Sequence, residues 1–321
     1  MSIYTELSAT WLKNNYLLGV DLTLDDGSAY PDEIYTNSIQ AAVAYLEHEL
    51  GLVLDTTSFV GEQHDAYEPN RTGWWPFRLD HRPVRSVEKM QIKLGSFPAV
   101  SIPTSWVQQV QPMYGQIHIV PSQETLGSYI FRAGIPLIAG DVYQPAEYIP
   151  GYFHFDYTAG FGLETGTATI PNGQTSVEVT LASPFVEPIF TVIPAFASAA
   201  GASGLTVTAK KRTGFTINVS SAPNSGDATV SWTASALPQD IKHAIGYVAA
   251  MQPLNIAGDL IAGAGVASFA TSIDGLSTSL NTTSSATNSG YGARILNYLK
   301  QLKTLLPALR AKYRTVNIGV L

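Results

Sequence analysis

The chain contains no cysteine among its 321 residues. Without thiols it can form no disulfide, thiolate metal site or cysteine nucleophile. Charged residues are also few, at 13% of the sequence, whereas hydrophobic residues make up 45%. This much apolar material suffices for a sizeable core, so we expect the chain to fold rather than to remain disordered.

Long apolar runs are missing as well. No uncharged apolar segment reaches the roughly 18–20 residues that cross a bilayer, and the nearest, around residues 260–270, is short and rich in Gly and Ala. The first residues, Met1 to Glu6, show neither the basic nor the apolar region of a signal peptide. We therefore expect a soluble protein that is made in a cytoplasm and has no membrane partner.

Signatures of common catalytic sites are absent. The sequence has no Gly-x-Ser-x-Gly elbow, no phosphate-cradling Gly-x-x-x-x-Gly-Lys and no His-Glu-x-x-His. A pair of carboxylates for glycoside cleavage remains possible, because such a pair is defined by the distance between the two groups in the folded protein and not by sequence spacing. We expect no enzyme, no cofactor and no metal.

Two groups of polar residues were weighed as half-sites. His154 and Asp156 alternate on one strand face and would supply half of a metal site, but with no third ligand an ordinary hydrogen-bonded pair is favoured. Glu62, His64 and Asp65 lie together in a segment that we interpret as a polar loop, which favours a solvated turn.

Acidic residues are missing from the last 47 positions. None follows Asp274, so this segment carries a net charge of +6 and the remainder −13. Its basic residues are Arg294, Lys300, Lys303, Arg310, Lys312 and Arg314. Such a division of charge is typical of an interaction tail, with a solvated helix face as the alternative.

Apolar spacing predicts helices at both ends of the chain. Residues 4–18 predict a short helix, and a better one begins at Pro31, carries Ile39, Val43, Leu46 and Leu50 on one side and ends at Gly51. A further helix begins at Pro238 and is ended or kinked by Pro253. The last helix runs from about Tyr291 to Tyr313, with Ile295, Leu299, Leu302, Leu306 and Leu309 as its stripe, and 316–321 forms a terminal strand.

The middle of the chain predicts strands. Between residues 52 and 157 we expect a few, including one in which Met90, Ile92 and Leu94 face a core. Residues 164–236 contain about six short Thr/Val-rich strands separated by turns, which indicates a small antiparallel β-sandwich. The aromatic cluster Trp74, Trp75 and Phe77 is assigned to a subunit interface or the core, with stacking on sugars as the alternative.

Residues 262–292 are rich in Ser, Thr, Asn and Gly. A long structureless stretch inside a compact domain is usually functional or disordered. We interpret this one as an arm that becomes ordered on assembly, with Ile273, Asp274 and Leu276 as its contact residues.

Three motifs occur in a characteristic order: Arg82-Pro83-Val84-Arg85-Ser86-Val87, then Asp156-Tyr157-Thr158-Ala159-Gly160-Phe161, then a Pro-initiated helix from Leu237-Pro238. This order resembles the head–tail connector, or neck adaptor, proteins of tailed bacteriophages. In simpler members of that family the last two motifs lie a few residues apart, whereas here 75 residues separate them. Insertion at a surface loop is tolerated, because the cost of loop closure grows slowly with length.

The resemblance implies an α+β fold: a helical adaptor core with a few β-strands, and an inserted antiparallel β-sandwich. The expected domains are 1–163 (first part of the core), 164–236 (inserted sandwich) and 237–321 (second part of the core).

The implied function is that of a structural virion protein at the phage neck, assembled in the host bacterial cytoplasm. It would form an oligomeric ring, twelve-fold in this family, between the portal protein and downstream neck, tail-completion or capsid proteins, with genomic double-stranded DNA passing through. The basic final helix would dock on an acidic portal surface. The alternative is a receptor- or carbohydrate-binding virion protein that acts through the sandwich.

Overall fold

The chain forms two compact units. The computed structural model describes residues 2–24, 26–67, 77–93, 99–120, 148–262, 268–273, 276–281 and 291–314. A β unit consists of Met1–Ser2 and Leu52–Leu237, and a helical unit consists of Ile3–Gly51 and Pro238–Leu321. Nothing in this division tests the three predicted domains, which stay a prediction.

The predicted fold class is wrong. Instead of a helical core with a few strands, the described residues form fifteen β-strands in five sheets, all paired antiparallel, and four α-helices. The error arises between residues 52 and 163. This segment was expected to add only a few strands to the core, but its described residues form seven strands in two sheets around a hydrophobic cluster of their own.

The α-helices of the helical unit are α1 Ala9–Tyr16, α2 Asp32–Leu50, α3 Gln239–Ala262 and α4 Gly292–Tyr313. The prediction for α2 is confirmed: Pro31 precedes it, Asp32 and Glu33 fill its first turn, and Gly51 ends it with a left-handed φ of 61°. α3 packs on each of the other three helices. Because it is covered on several sides, its apolar residues surround it instead of forming one stripe.

Two helix details differ from expectation. α3 continues through Pro253 to Ala262 and does not end there. In α4, Leu299 is 42% exposed, whereas Tyr298 is buried in its place. No helix of the described residues has the length and apolar character needed to span a membrane.

The predicted arm contains a β-hairpin. β14 Ser268–Ile273 pairs with β15 Leu276–Asn281, so the expectation of a structureless 262–292 stretch is wrong for these residues. Ile273 and Leu276 are partners next to the turn, and Asp274 lies outside the described residues. The Asp-Gly pair at 274–275 is a sequence signal for a hairpin, and the prediction of a structureless arm did not include it.

The first part of the β unit holds two sheets. One has the strand order β1-β7-β3-β4, the other β2-β6-β5. The strands are β1 Thr57–Tyr67, β2 Phe77–Arg78, β3 Val84–Ile92, β4 Val100–Ile102, β5 Val107–Gln111, β6 Gln116–Ile119 and β7 Tyr148–Ala159. Alternate residues of β7, from Phe153 to Ala159, enter a core that also contains Met90 and Trp106.

The second part is the predicted pair of small sheets. Their orders are β10-β13-β8 and β11-β12-β9, and the strands are β8 Leu163–Ile170, β9 Ser176–Thr180, β10 Thr191–Ser198, β11 Ser203–Lys211, β12 Gly214–Ser221 and β13 Ala228–Ser235. Six strands in residues 164–236 are thus confirmed. The sheets meet through Phe215 and Trp232, whose rings pack edge to face 5.3 Å apart.

Candidate functional site

A group of titratable residues surrounds Glu62 on β1. Its Oε1 accepts hydrogen bonds from His64 Nε2 at 2.6 Å and the Asp80 amide at 2.9 Å. Its Oε2 accepts from the Tyr157 hydroxyl at 2.5 Å and lies 2.9 Å from His81 Nδ1. We call these five residues the Glu62 cluster.

Strand geometry brings the cluster together. Glu62 and His64 are two residues apart on β1, so their side chains project from the same face. The neighbouring strand β7 supplies Tyr157, and the segment between β2 and β3 supplies Asp80 and His81. The Phe59 ring stacks on His81 at 3.8 Å between ring centroids and thereby fixes its orientation.

The predicted solvated turn at Glu62, His64 and Asp65 is therefore wrong. All three lie in β1, and the side chains of Glu62 and His64 are only 9% and 15% exposed. The missed signal was the two-residue spacing of Glu62 and His64. Their partners lie up to 95 residues away in the sequence, beyond the reach of local pattern.

The hydrogen bonds determine the charge of the cluster. Burial raises the pKa of the Glu62 carboxyl, but the bonds from His64, Tyr157, the Asp80 amide and His81 outweigh it and lower this pKa to about 2. Burial and the bond to Glu62 raise the pKa of the Tyr157 hydroxyl far above its ordinary value. Near neutral pH the cluster therefore holds an ionised carboxylate and a neutral phenol.

Three side chains of the cluster are placed as ligands would be. One donor atom each from Glu62, His64 and Asp80 lie within 4.8 Å of one another. Asp80 is exposed, and the adjacent His81 side chain is 45% exposed. The group is thus anchored on a strand at one side and open to solvent at the other.

The hydrogen-bonded pair favoured for His154 and Asp156 is wrong, because each residue bonds to a different partner. His154 Nε2 lies 3.0 Å from the Gly151 carbonyl oxygen. Asp156 accepts a hydrogen bond from the Gly61 amide at 2.7 Å and lies 3.8 Å from Lys89 Nζ. These bonds tie the two residues to separate partners, and among the described residues no third ligand joins them.

Three of the six basic residues proposed for portal docking hold the helical unit together. Arg310 and Glu49 form an ion pair, as do Lys312 and Asp240 at 2.9 Å. Arg294 donates to the carbonyl oxygens of Tyr16 at 2.8 Å and Leu18 at 3.0 Å. These carbonyls lie at the end of α1, where the helix leaves its last acceptors unsatisfied, so Arg294 acts as a cap supplied by α4.

The other three are Lys300, Lys303 and Arg314. They are exposed and form no ion pair with a described residue. Lys300 also lines an open cleft of about 660 Å³ between α3 and α4, together with Asp240, His243 and Tyr247. The free positive charge of α4 is therefore concentrated in fewer residues than the sequence indicated.

The predicted aromatic interface falls mostly outside the described residues. This holds for Trp74 and Trp75. The backbone of Phe77 begins β2 and pairs with Ile117 in β6. The role proposed for the three residues stays a prediction.

Two of the three sequence motifs are neighbours in one sheet. Val84 pairs with Ala159 and Ser86 with Thr158, and the Gly160 amide donates to the Pro83 carbonyl at 2.8 Å. Gly160 has a φ of 107°, and a Cβ there would lie 2.2 Å from the Asp55 carbonyl oxygen. Only glycine fits this position.

No family model matches the chain, and no curated protein matches it.

Proposed function

We propose that the protein is a non-enzymatic structural subunit of a tailed-bacteriophage virion. It acts as a head-to-tail adaptor that forms an oligomeric ring between the portal protein and the tail and lines the DNA conduit. Its place is the neck of the virion, where downstream neck, tail-completion or capsid proteins are its further partners. The proposal concerns function and does not depend on a helical core.

One observation carries the proposal: two of the three motifs that suggested the adaptor family lie side by side in one sheet. The motifs around Val84 and Ala159 are 75 residues apart in sequence but lie side by side in β3 and β7. The glycine of the second motif is required by the close approach of Asp55. The third motif begins α3, where the Lys242 amide donates to the Pro238 carbonyl. The contact between the first two motifs supports treating them as parts of one local structure and not as chance matches.

The charges suit the same role. A ring needs a head-to-tail interface that closes on itself. Opposite charges on the portal and on this protein would raise their association rate and fix their relative orientation. Lys300 and Lys303 supply exposed positive charge on α4. The net charge of −13 before residue 275 suits a conduit, because a negative lumen does not hold the phosphates of DNA.

The test is assembly with the portal protein of the same phage. We expect negative-stain images of the mixture to show a ring of this protein stacked on the portal. Reversing the exposed charges with Lys300→Glu and Lys303→Glu should abolish co-sedimentation and leave the circular dichroism spectrum unchanged. Removing α4 outright is a poorer test, because it would uncover the core that Ile295 and Leu302 fill.

The control carries the same charge change elsewhere. Lys93→Glu with Lys211→Glu alters two exposed lysines of the β unit and should sediment with the portal as the parent does. Failure of the parent protein to form a ring or to bind portal would overturn the proposal, and equal loss by both double variants would overturn the α4 docking surface.

The sugar-binding alternative gains no support from the sandwich. Stacking on a sugar needs exposed aromatic faces. Of the five aromatic residues in 164–236, Phe185, Phe190, Phe215 and Trp232 are at most 6% exposed, and Phe196 is half-buried. Residues 164–236 contain no tyrosine.

A further inference from the structure

We propose that Glu62, His64 and Asp80 bind a divalent first-row transition-metal ion, with water completing its coordination shell. This inference does not depend on the proposed adaptor function. It concerns a site in the β unit, whereas the portal contact was assigned to α4.

The donor atoms are nearly at ligand spacing. A tetrahedral ion with bonds of about 2.0–2.1 Å holds its ligand atoms about 3.3 Å apart. In the structure, Glu62 Oε1 and His64 Nε2 lie 2.6 Å apart, and the donor atoms of all three residues lie within 4.8 Å of one another. Side-chain movements of an ångström or so would therefore bring them to coordination distance without a change in the backbone.

The donor set also selects the kind of ion. Carboxylates alone suit Mg²⁺ and Ca²⁺, whereas imidazole nitrogen suits zinc and its first-row neighbours. The two carboxylates of Glu62 and Asp80 balance the charge of a divalent ion. Neutral imidazole can then coordinate through the Nε2 that now contacts Glu62.

The surroundings of Glu62 resemble the support that protein metal ligands usually have. A ligating carboxylate is typically oriented by hydrogen bonds to its second oxygen. Here the Tyr157 hydroxyl donates to Glu62 Oε2, and His81 Nδ1 lies 2.9 Å from it. Phe59 stacks on both the His81 and the Tyr157 rings and thereby restrains them. Oε2 is thus held while Oε1 faces His64.

An ion has a route to the site. Asp80 lies at the surface, and beside it the side chains of Glu62 and His64 are still 9% and 15% exposed. Binding would replace the Glu62–His64 hydrogen bond by two bonds to the metal and would draw Asp80 inward. We therefore expect binding to increase the stability of the folded protein by mass action.

The experiment is a titration of the full-length, chelator-treated protein with Co²⁺ and with Zn²⁺. We expect one equivalent of Co²⁺ to give a visible ligand-field absorption band, Zn²⁺ to remove it, and Zn²⁺ to raise the melting temperature. Asp80→Asn and His64→Gln should each weaken binding by at least about tenfold, and Tyr157→Phe should weaken it about tenfold through loss of orientation.

Matched controls separate this site from adventitious binding. His154→Gln and Asp259→Asn change a histidine and a carboxylate elsewhere and should bind as the parent does. Asp80 is exposed, so Asp80→Asn decides the matter even where His64→Gln fails to fold. Absence of stoichiometric binding by the parent, or undiminished binding by Asp80→Asn, would overturn the proposal. Neither result bears on ring formation or portal binding.

Discussion

Tyr157 and Tyr35 are both fully buried, but among the described residues only one of their hydroxyl groups has a hydrogen-bond partner. The Tyr157 hydroxyl donates to Glu62 and accepts from the His81 amide at 3.0 Å. The Tyr35 hydroxyl has no hydrogen-bond partner among the described residues. A buried bond to a charged group stabilises the fold, whereas an unsatisfied buried hydroxyl costs free energy.

Removing the hydroxyl group should therefore affect stability differently at the two positions. Tyr157→Phe should lower the free energy of unfolding by about 1.5–3 kcal/mol, because it leaves the Glu62 carboxylate short of a donor. Tyr35→Phe should be neutral or slightly stabilising. Urea unfolding of the two variants beside the parent protein measures both. Equal destabilisation would show that loss of the hydroxyl bond is not the cause.

The contacts of individual side chains in the candidate site were the hardest feature to predict from the sequence. Glu62 and His64 were singled out, but they were placed in a loop, because nothing local indicates that His81 and Tyr157 will meet them. Arg294 and Arg310 were noticed for their charge. Their actual partners, the end of α1 and Glu49, are 276 and 261 residues away along the chain.

Elements were predicted best where one local rule was sufficient. α2 has an acidic first turn, an apolar stripe and a terminal glycine that agree, and the six strands of the sandwich follow the Thr/Val-rich alternation. Of the two outcomes predicted for α3 at Pro253, an end or a kink, the end is wrong: the helix continues, and its contacts with the other three helices support it. β1 was missed because its polar residues were interpreted as a loop.

The end of β7 gives a prediction with a matched control. Gly160 and Gly173 both have positive φ, but a Cβ at Gly160 would strike the Asp55 backbone, whereas a Cβ at Gly173 meets nothing within 4 Å. Gly173→Ala should cost about 1 kcal/mol of backbone strain. Gly160→Ala should cost more than about 3 kcal/mol or prevent folding. Thermal unfolding separates the two, and similar melting temperatures would contradict the steric argument.

The basic residues of α4 that contact other elements can also be distinguished from the exposed ones by the effect of substitution on stability. Arg294→Ala removes a cap from α1 and should lower the stability of the helical unit by about 1.5–3 kcal/mol. Lys303→Ala removes an exposed charge and should change stability by less than about 0.5 kcal/mol. Hydrogen exchange of the α1 amides reports on the cap directly. Unchanged protection in Arg294→Ala would refute it.

At the scale of the whole molecule, the fold class was wrong because residues 52–163 were expected to add only a few strands to a helical core, whereas their described part forms seven strands in two sheets. The apolar alternation of β3 and β7 was visible, but the extent of the sheet was not. Sheet order depends on pairings such as β1 with β7, which join residues about 90 residues apart. Periodicity identifies a strand and its buried face; it does not identify the strand's neighbour.

The sandwich can be deleted and the chain rejoined across a short gap, because its two ends are adjacent. Leu163 pairs with Ser235, and the Ala236 amide donates to the Gly162 carbonyl at 2.8 Å. Its link to the rest of the β unit includes Arg85, which is 5% exposed and donates to the carbonyl oxygens of Ser183 and Pro184. Deleting residues 165–235 should therefore leave a folded remainder. The deletion removes the carbonyl partners of Arg85, but it also exposes the Arg85 guanidinium to water, which can hydrate it.

Substitution of Arg85 in the full chain and in the deletion variant measures how strongly the sandwich stabilises the rest of the β unit through this residue. In the full chain, Arg85→Ala strips two carbonyls of a charged donor and should cost about 2–4 kcal/mol. In the deletion variant those carbonyls are gone, and the same substitution should cost well under half as much, since only the bond from Arg85 to Thr56 remains. Urea unfolding of the four proteins gives the coupling free energy. An equal cost in both backgrounds would mean that Arg85 does not join the sandwich to the sheet, and global unfolding of the deletion variant would mean that the two parts form one inseparable core.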